Sequence, residues 1–198
     1  MIALLNFSTN QPIELIRLSR ESYEIMLSHC RRKLAGESYL PGEDQDRKAF
    51  GLLGGRVVKG AVEVIACSPL LRNARQCNDN KDYMDQMMTA HAIPSETPFT
   101  ERGWVADTDE LTAALKSYRD LDLLLIGTYH MHRVAWPHDH IRDTPTTLDT
   151  MLGSNSRMLM FILSMVDPAK PILRAFYEGE YKRETPIHYI ASSPVTSS

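Results

Sequence analysis

Two histidines, His130 and His132, stand one residue apart at the end of the apolar run over residues 121–129. Such a run reads as a buried strand, and side chains two apart on a strand share a face. Their ring nitrogens can therefore converge on one ion at the strand's mouth. Downstream, Pro145-Thr146-Thr147-Leu148-Asp149 reads as the opening of a helix and offers a carboxylate. Two imidazoles and one carboxylate leave the fourth position of a tetrahedral zinc free for water, which is the pattern of a catalytic zinc. The stretch 133–143 adds His138, Asp139 and His140. These read either as a second set of ligands or as polar residues of a solvated loop.

The elements that must position these groups follow from periodicity. Ile13, Leu15, Ile16, Leu18, Tyr23, Ile25, Met26 and Leu27 recur at roughly helical spacing as far as Leu34. They predict a helix from residue 13, opened by Asn10 and Pro12 and closed by Gly36. Residues 37–47 are polar, contain Pro41-Gly42 and read as a loop. Residues 49–58 and 61–67, joined by Lys59-Gly60, predict a hairpin. Its Gly51, Gly54 and Gly55 match no phosphate-loop pattern and imply close backbone approach instead. Residues 72–99 are polar, with Met84, Met87 and Met88 in their middle. They read as a long insertion, either a lid or partner-binding element or a short helix packed by its methionines.

Asp107, with Glu110 three residues on, predicts a capped helix over 111–118. Residues 158–166 and 172–177 read as further strands, 186–190 as a short edge strand and 192–198 as a flexible tail. This order predicts an α/β (α+β) fold with a mixed central sheet flanked by helices. One domain over 1–191 is expected, with insertions near 72–104 and 133–144.

Bulk properties narrow the class. A net charge of −3 and a pI near 6.2 provide no basic stripe, which argues against a nucleic-acid partner. Cys30, Cys67 and Cys77 are odd in number and lack a CxxC pair, which disfavours a disulfide framework or a cysteine zinc knuckle. Residues 1–6 are too short for a signal peptide, and no run is long and apolar enough to span a membrane. A cytoplasmic protein is expected.

Gly51-Leu52-Leu53-Gly54, then Gly127-Thr128-Tyr129-His130-Met131-His132, then Pro145-Thr146-Thr147-Leu148-Asp149 follow one another along the chain. In that order they resemble the G-L-L-x-G, G-x-Y-H-x-H-P and P-S-x-x-D motifs of the JAB/JAMM (MPN+) zinc metallopeptidase family. The chain looks like a divergent prokaryotic-type member. The resemblance implies an MPN/cytidine-deaminase-like architecture with zinc held by His130, His132 and Asp149. It places Thr146 where the family's serine stabilises an oxyanion, and a threonine hydroxyl can donate the same bond.

Three positions depart from the pattern. Lys48 stands where the family carries the glutamate that takes the proton of the attacking water, and an ammonium has no lone pair to accept it. Either Glu43, Asp44 or Asp46 of the preceding loop serves instead, or the chemistry is changed or lost. Arg133 replaces the proline after the second histidine. The separation from His132 to Asp149 is about six residues longer than in the family. Asp143 keeps the family-like separation, with His140 in the serine slot, and is the alternative third ligand. Asp149 is preferred because its motif reproduces the helix start as well as the carboxylate.

The implied function is zinc-dependent cleavage of a peptide or isopeptide bond, at the C-terminus of a ubiquitin-like or sulfur-carrier protein. Two alternatives stand beside it: a zinc amidohydrolase acting on a small-molecule amide, and a catalytically impaired MPN-like interaction module. A homodimer is left open as the assembly state. An extended protein tail needs an open groove beside an unpaired strand edge, whereas a small molecule needs an enclosed pocket.

Overall fold

In the structure, a computed structural model that describes residues 13–94 and 97–191, Leu15–Ser19 forms a strand, β1, where a helix was expected. Ile16 and Leu18 are fully buried while Leu15 and Arg17 are partly exposed. Over five residues that alternation is compatible with helical spacing, and pairing decides between them. β1 runs parallel to two neighbours, with Ile16 opposite Val62 on one side and Ile187 on the other. The helix α1 (Arg20–Ala35) follows at once, because Ser19 Oγ accepts the Ser22 N–H and caps it. Gly36, at φ 72°, returns its N–H to the Arg32 carbonyl and ends α1 as expected. The expected cap at Asn10 and Pro12 and the tail 192–198 lie outside the described residues.

The expected hairpin is β2 (Phe50–Val58) and β3 (Ala61–Leu70). With β4 (Leu124–His132), β5 (Leu159–Ser164), β6 (Ile172–Tyr177) and β7 (Ile187–Ile190), these strands make one seven-stranded mixed sheet in the order β6-β5-β4-β2-β3-β1-β7. β4 is parallel to β5 and antiparallel to β2. It extends through both histidines, because β5 pairs with it as far as Ser164 opposite His132. The histidines therefore sit on a hydrogen-bonded ladder rather than beyond it.

The two faces of the sheet are covered differently. Met26, Leu27 and Cys30 of α1 pack on Leu53, Tyr129 and Phe161. On the other face Tyr118, from α3 (Thr108–Asp120), packs with Leu52, Leu70 and Leu123. Asp107 caps α3 as expected. Glu110 does not close the capping box; its carboxylate accepts the Leu71 and Arg72 N–H groups and ties α3 to the end of β3. The glycines of β2 make the predicted close approaches. A Cβ at Gly51 would strike the Tyr129 ring, and one at Gly54 would meet Tyr118 at 2.9 Å.

The 72–99 stretch contains the helix α2 (Asn78–His91), with Met84 and Met88 almost fully buried. It packs against α4 (Thr147–Gly153). Among the described residues no helix is long and apolar enough to cross a membrane.

Candidate metal centre

β4 carries His130 and His132 on one face, and α4 brings Asp149 to them. His130 Nε2 lies 3.0 Å from His132 Nε2, and Asp149 Oδ1 lies 3.4 Å from His130 Nε2. Asp149 Oδ2 is 3.6 Å from His132 Nε2. Ligands on a tetrahedral zinc, at bonds of about 2.0–2.1 Å, stand about 3.3–3.4 Å from one another. The observed separations, two of them to different oxygens of Asp149, lie near that value, so the three residues could hold a metal ion. Taking one donor atom from each residue, the three lie within 4.8 Å of one another.

Local chemistry explains why Asp149 arrives in this pose. Thr146 is the N-cap of α4, and its Oγ1 accepts the Asp149 N–H at 3.2 Å. Asp149 Oδ2 in turn accepts the Thr146 N–H at 2.8 Å, completing a capping box. One carboxylate thus closes the helix start while its other oxygen faces His130.

His132 is oriented from behind. Its Nδ1 lies 2.9 Å from the Arg142 carbonyl oxygen. A carbonyl only accepts, so Nδ1 carries the proton and Nε2 turns a lone pair toward the site. Arg142 reaches this position with φ of 42°, in the left-handed region. Its N–H is held by Asp139 Oδ1 at 2.7 Å, and its guanidinium lies 4.2 Å from the centre of the Trp136 ring. The 133–144 insertion is therefore an ordered loop whose product is one aimed carbonyl.

Burial lowers the His130 pKa to about 4, against the pull of the Asp149 carboxylate and with help from His132 and Arg142. The imidazole is neutral near pH 7, the form that ligates a metal. Burial alone would raise Asp149, but the His130 and His132 imidazoles and the Thr146 N–H outweigh it. They hold the carboxyl well below the usual carboxylate range.

The cluster lies in the wall of a cavity of about 520 Å³, together with Thr146 and Lys48. Met84 and Met88 of α2, Trp104 and Leu152 supply apolar wall. The insertion expected as a lid or a methionine-packed helix thus contributes a methionine helix that walls the site.

Several expected residues are placed elsewhere. Glu43 is buried on the α1 side, with both oxygens engaged by Arg32 at 2.8 and 3.1 Å and one also by the Leu40 N–H. It does not line the cavity and cannot serve as base there. Asp44 accepts the Asn73 N–H, and Asp46 pairs with the buried Lys33 at 2.7 Å. Lys48 alone of that group reaches the cavity; it faces Asp46 at 3.6 Å. Asp143 turns to Arg174 at 3.1 Å and is not the third ligand; His138 and His140 are exposed. Sequence reading missed the Arg142 carbonyl, which as a backbone group has no residue signature. It also missed Trp104 as a wall residue.

No protein-family model matches the chain, and no curated protein matches it. Among solved structures it is similar to protein DSY2949 from Desulfitobacterium hafniense. The TM-score is 0.58 at 21% identity, over 92% of this chain and 98% of that one. A protein from Salinibacter ruber (strain DSM 13855) gives a TM-score of 0.46 at 18% identity, over 90% and 92% of the two chains. At 21% identity the first likeness shows a shared fold alone.

Proposed function

We propose that this chain is a zinc-dependent hydrolase of the JAMM type, cleaving an amide small enough to enter the cavity. The observation that carries this reading is the convergence of one donor atom each from His130, His132 and Asp149 to within 4.8 Å of one another in a cavity wall. A zinc ion held there supplies Lewis acidity, which brings the pKa of water to about 7 in hydrolases of this kind. The Arg142 carbonyl keeps His132 in the tautomer that presents Nε2. Thr146 Oγ1 accepts the Asp149 N–H, so its own proton is free to donate to the amide oxygen as negative charge grows there. Removing one such donor costs about 3 kcal/mol of transition-state stabilisation elsewhere. Met84, Met88 and Trp104 limit access of bulk water. Lys48 stands at the sequence position of the expected base, so the proton of the attacking water is passed by way of solvent to the leaving amine.

A small amide is favoured over an extended protein tail because β4 has no free edge beside the site. His130 is paired to Phe50 on one side and Ile162 on the other, leaving no strand edge for an added peptide. Lys48 favours a second reading, a module that holds metal without turnover. The two separate in one experiment. Zinc content is measured for the wild type, His130→Ala and Asp149→Ala, with hydrolysis of a panel of short N-acyl amides assayed in parallel. Zinc and turnover both lost in the variants support the hydrolase. Zinc bound by the wild type with no turnover moves the reading to the module. Stoichiometric zinc retained by His130→Ala removes both.

A further inference from the structure

The cavity carries an excess of cations that the cleavage step itself does not need. Phe50 stands across from His130 in the β2–β4 ladder, and the Ala49 carbonyl accepts the Met131 N–H at 3.1 Å. One residue on, Lys48 falls opposite His132, on the face shared by both histidines. Lys48 lines the same cavity as His130, His132 and Asp149. Arg133 follows His132 directly and also lines the cavity.

Neither cation has a close carboxylate partner of its own. Lys48 has one carboxylate partner, Asp46, at 3.6 Å, and Asp46 is held more closely by Lys33 at 2.7 Å. Arg133 has no ion pair among the described residues. Burial depresses the Lys48 pKa against the pull of Asp46, with smaller help from Arg75 and Arg133.

The polar atoms of the wall point the same way. Four buried side-chain nitrogens or oxygens lack a hydrogen-bond partner among the described residues, and three belong to cavity residues. They are Arg102 Nη2, Trp104 Nε1 and Arg142 Nε, all of them donors. The wall carries four cationic side chains, Lys48, Arg102, Arg133 and Arg142, against the carboxylates of Glu101, Asp149 and Glu178, while Met84, Met88 and Leu152 supply apolar surface.

We propose that Lys48 and Arg133 form an anion-binding pair, and that the substrate is an N-acyl amino acid. Its free carboxylate lies on the amine half beside the scissile amide, and its apolar acyl chain lies against the methionine wall. This deepens the hydrolase reading and rests on it for turnover, though not for binding. Hydrolysis breaks the C–N bond of R–CO–NH–CHR′–COO⁻. The water oxygen goes to the acyl carbon and both water protons end on the amine. The products are R–COO⁻ and H₃N⁺–CHR′–COO⁻, with charge conserved at −1. Lys48 and Arg133 are specificity residues here, touching the substrate carboxylate.

The test uses N-octanoylglycine and its uncharged counterpart N-octanoylglycinamide as probes. Binding of each is measured by calorimetry on zinc-loaded and zinc-stripped protein, for the wild type, Lys48→Gln/Arg133→Gln and the charge-conserving Lys48→Arg/Arg133→Lys. The wild type and the charge-conserving variant should prefer the acid by about tenfold or more, a preference carried by charge-assisted hydrogen bonds. The double glutamine variant should lose that preference. Equal binding of the two probes by the wild type, binding of neither, or a preference that survives in the double glutamine variant overturns the proposal. Octanoate and glycine are followed separately by mass spectrometry. A preference for the acid without turnover would keep the anion pair and remove the hydrolase.

Discussion

Tyr129 and His130 are neighbours on β4, yet they belong to two polar clusters on opposite faces of the sheet, and the contrast is instructive. Beneath α1, His29 Nδ1 lies 2.7 Å from the Tyr129 hydroxyl, and its Nε2 is 3.6 Å from Glu43. On the cavity face, His130 meets His132 and Asp149. Burial lowers both His29 and His130 to about 4. A displaced histidine pKa therefore does not single out the functional face. What does is the fate of the partners. Glu43 is consumed by Arg32 and the Leu40 N–H. Around His130, by contrast, three lone-pair donors converge and a cavity borders them. The first cluster is closed by its own partners, whereas the second could hold a metal ion in a cavity wall.

The largest expected difference between the faces is in metal binding. His130→Ala should reduce zinc to background and take hydrolysis to the rate of buffer, while His29→Ala keeps stoichiometric zinc; elemental analysis of both variants decides. Metal loss in both would erase the distinction. Next in size is Lys48→Glu, which places an acceptor where the chain now has a cation. It should raise hydrolysis of uncharged amides by about 100-fold, the lower range for general-base assistance. An unchanged rate would mean that position 48 does not face the attacking water.

The Arg142 carbonyl offers a finer probe. Arg142→Gly tolerates the positive φ and should keep its zinc affinity, whereas Arg142→Pro is incompatible with that φ and should weaken it about 10- to 100-fold, the usual cost of losing a supporting contact to a ligand. Equal affinities in competition with a chelator would dismiss the tautomer argument.

A difference in stability, rather than in metal binding or rate, lies beneath α1. The unfolded chain protonates His29 near pH 6.5, the folded protein only near pH 4. Between those values the unfolded state binds more protons, so stability falls as the pH is lowered through this window. The contribution totals about 3 kcal/mol. Urea unfolding at pH 7 and pH 4 should show a loss smaller by about that amount in His29→Gln than in the wild type. Identical losses would place the His29 proton uptake elsewhere.

The legibility of these regions from sequence follows how local their determinants are. His130, His132, Thr146 and Asp149 could be read because strand alternation and a capping box are set by residues two or three apart. The hairpin and the methionine helix were legible for the same reason. β1 was not. Leu15, Ile16 and Leu18 satisfy two periodicities at once, and strands contributed from residues 61–64 and 187–190 settle the matter. Glu43 was misplaced because its position depends on Arg32, eleven residues away on a helix face. Asp143 was a candidate by separation alone, and the 133–144 loop turns it to Arg174 instead.

The central claim is that one cation is shared by two imidazoles and one carboxylate with a position left for solvent. X-ray absorption on zinc-reconstituted protein, paired with calorimetric titration of the stripped protein, addresses it most directly. The account predicts one equivalent of zinc with two histidine ligands and two light oxygen donors, one of them displaced by added hydroxamate. A four-histidine or sulfur-containing shell, or no saturable binding, would contradict it.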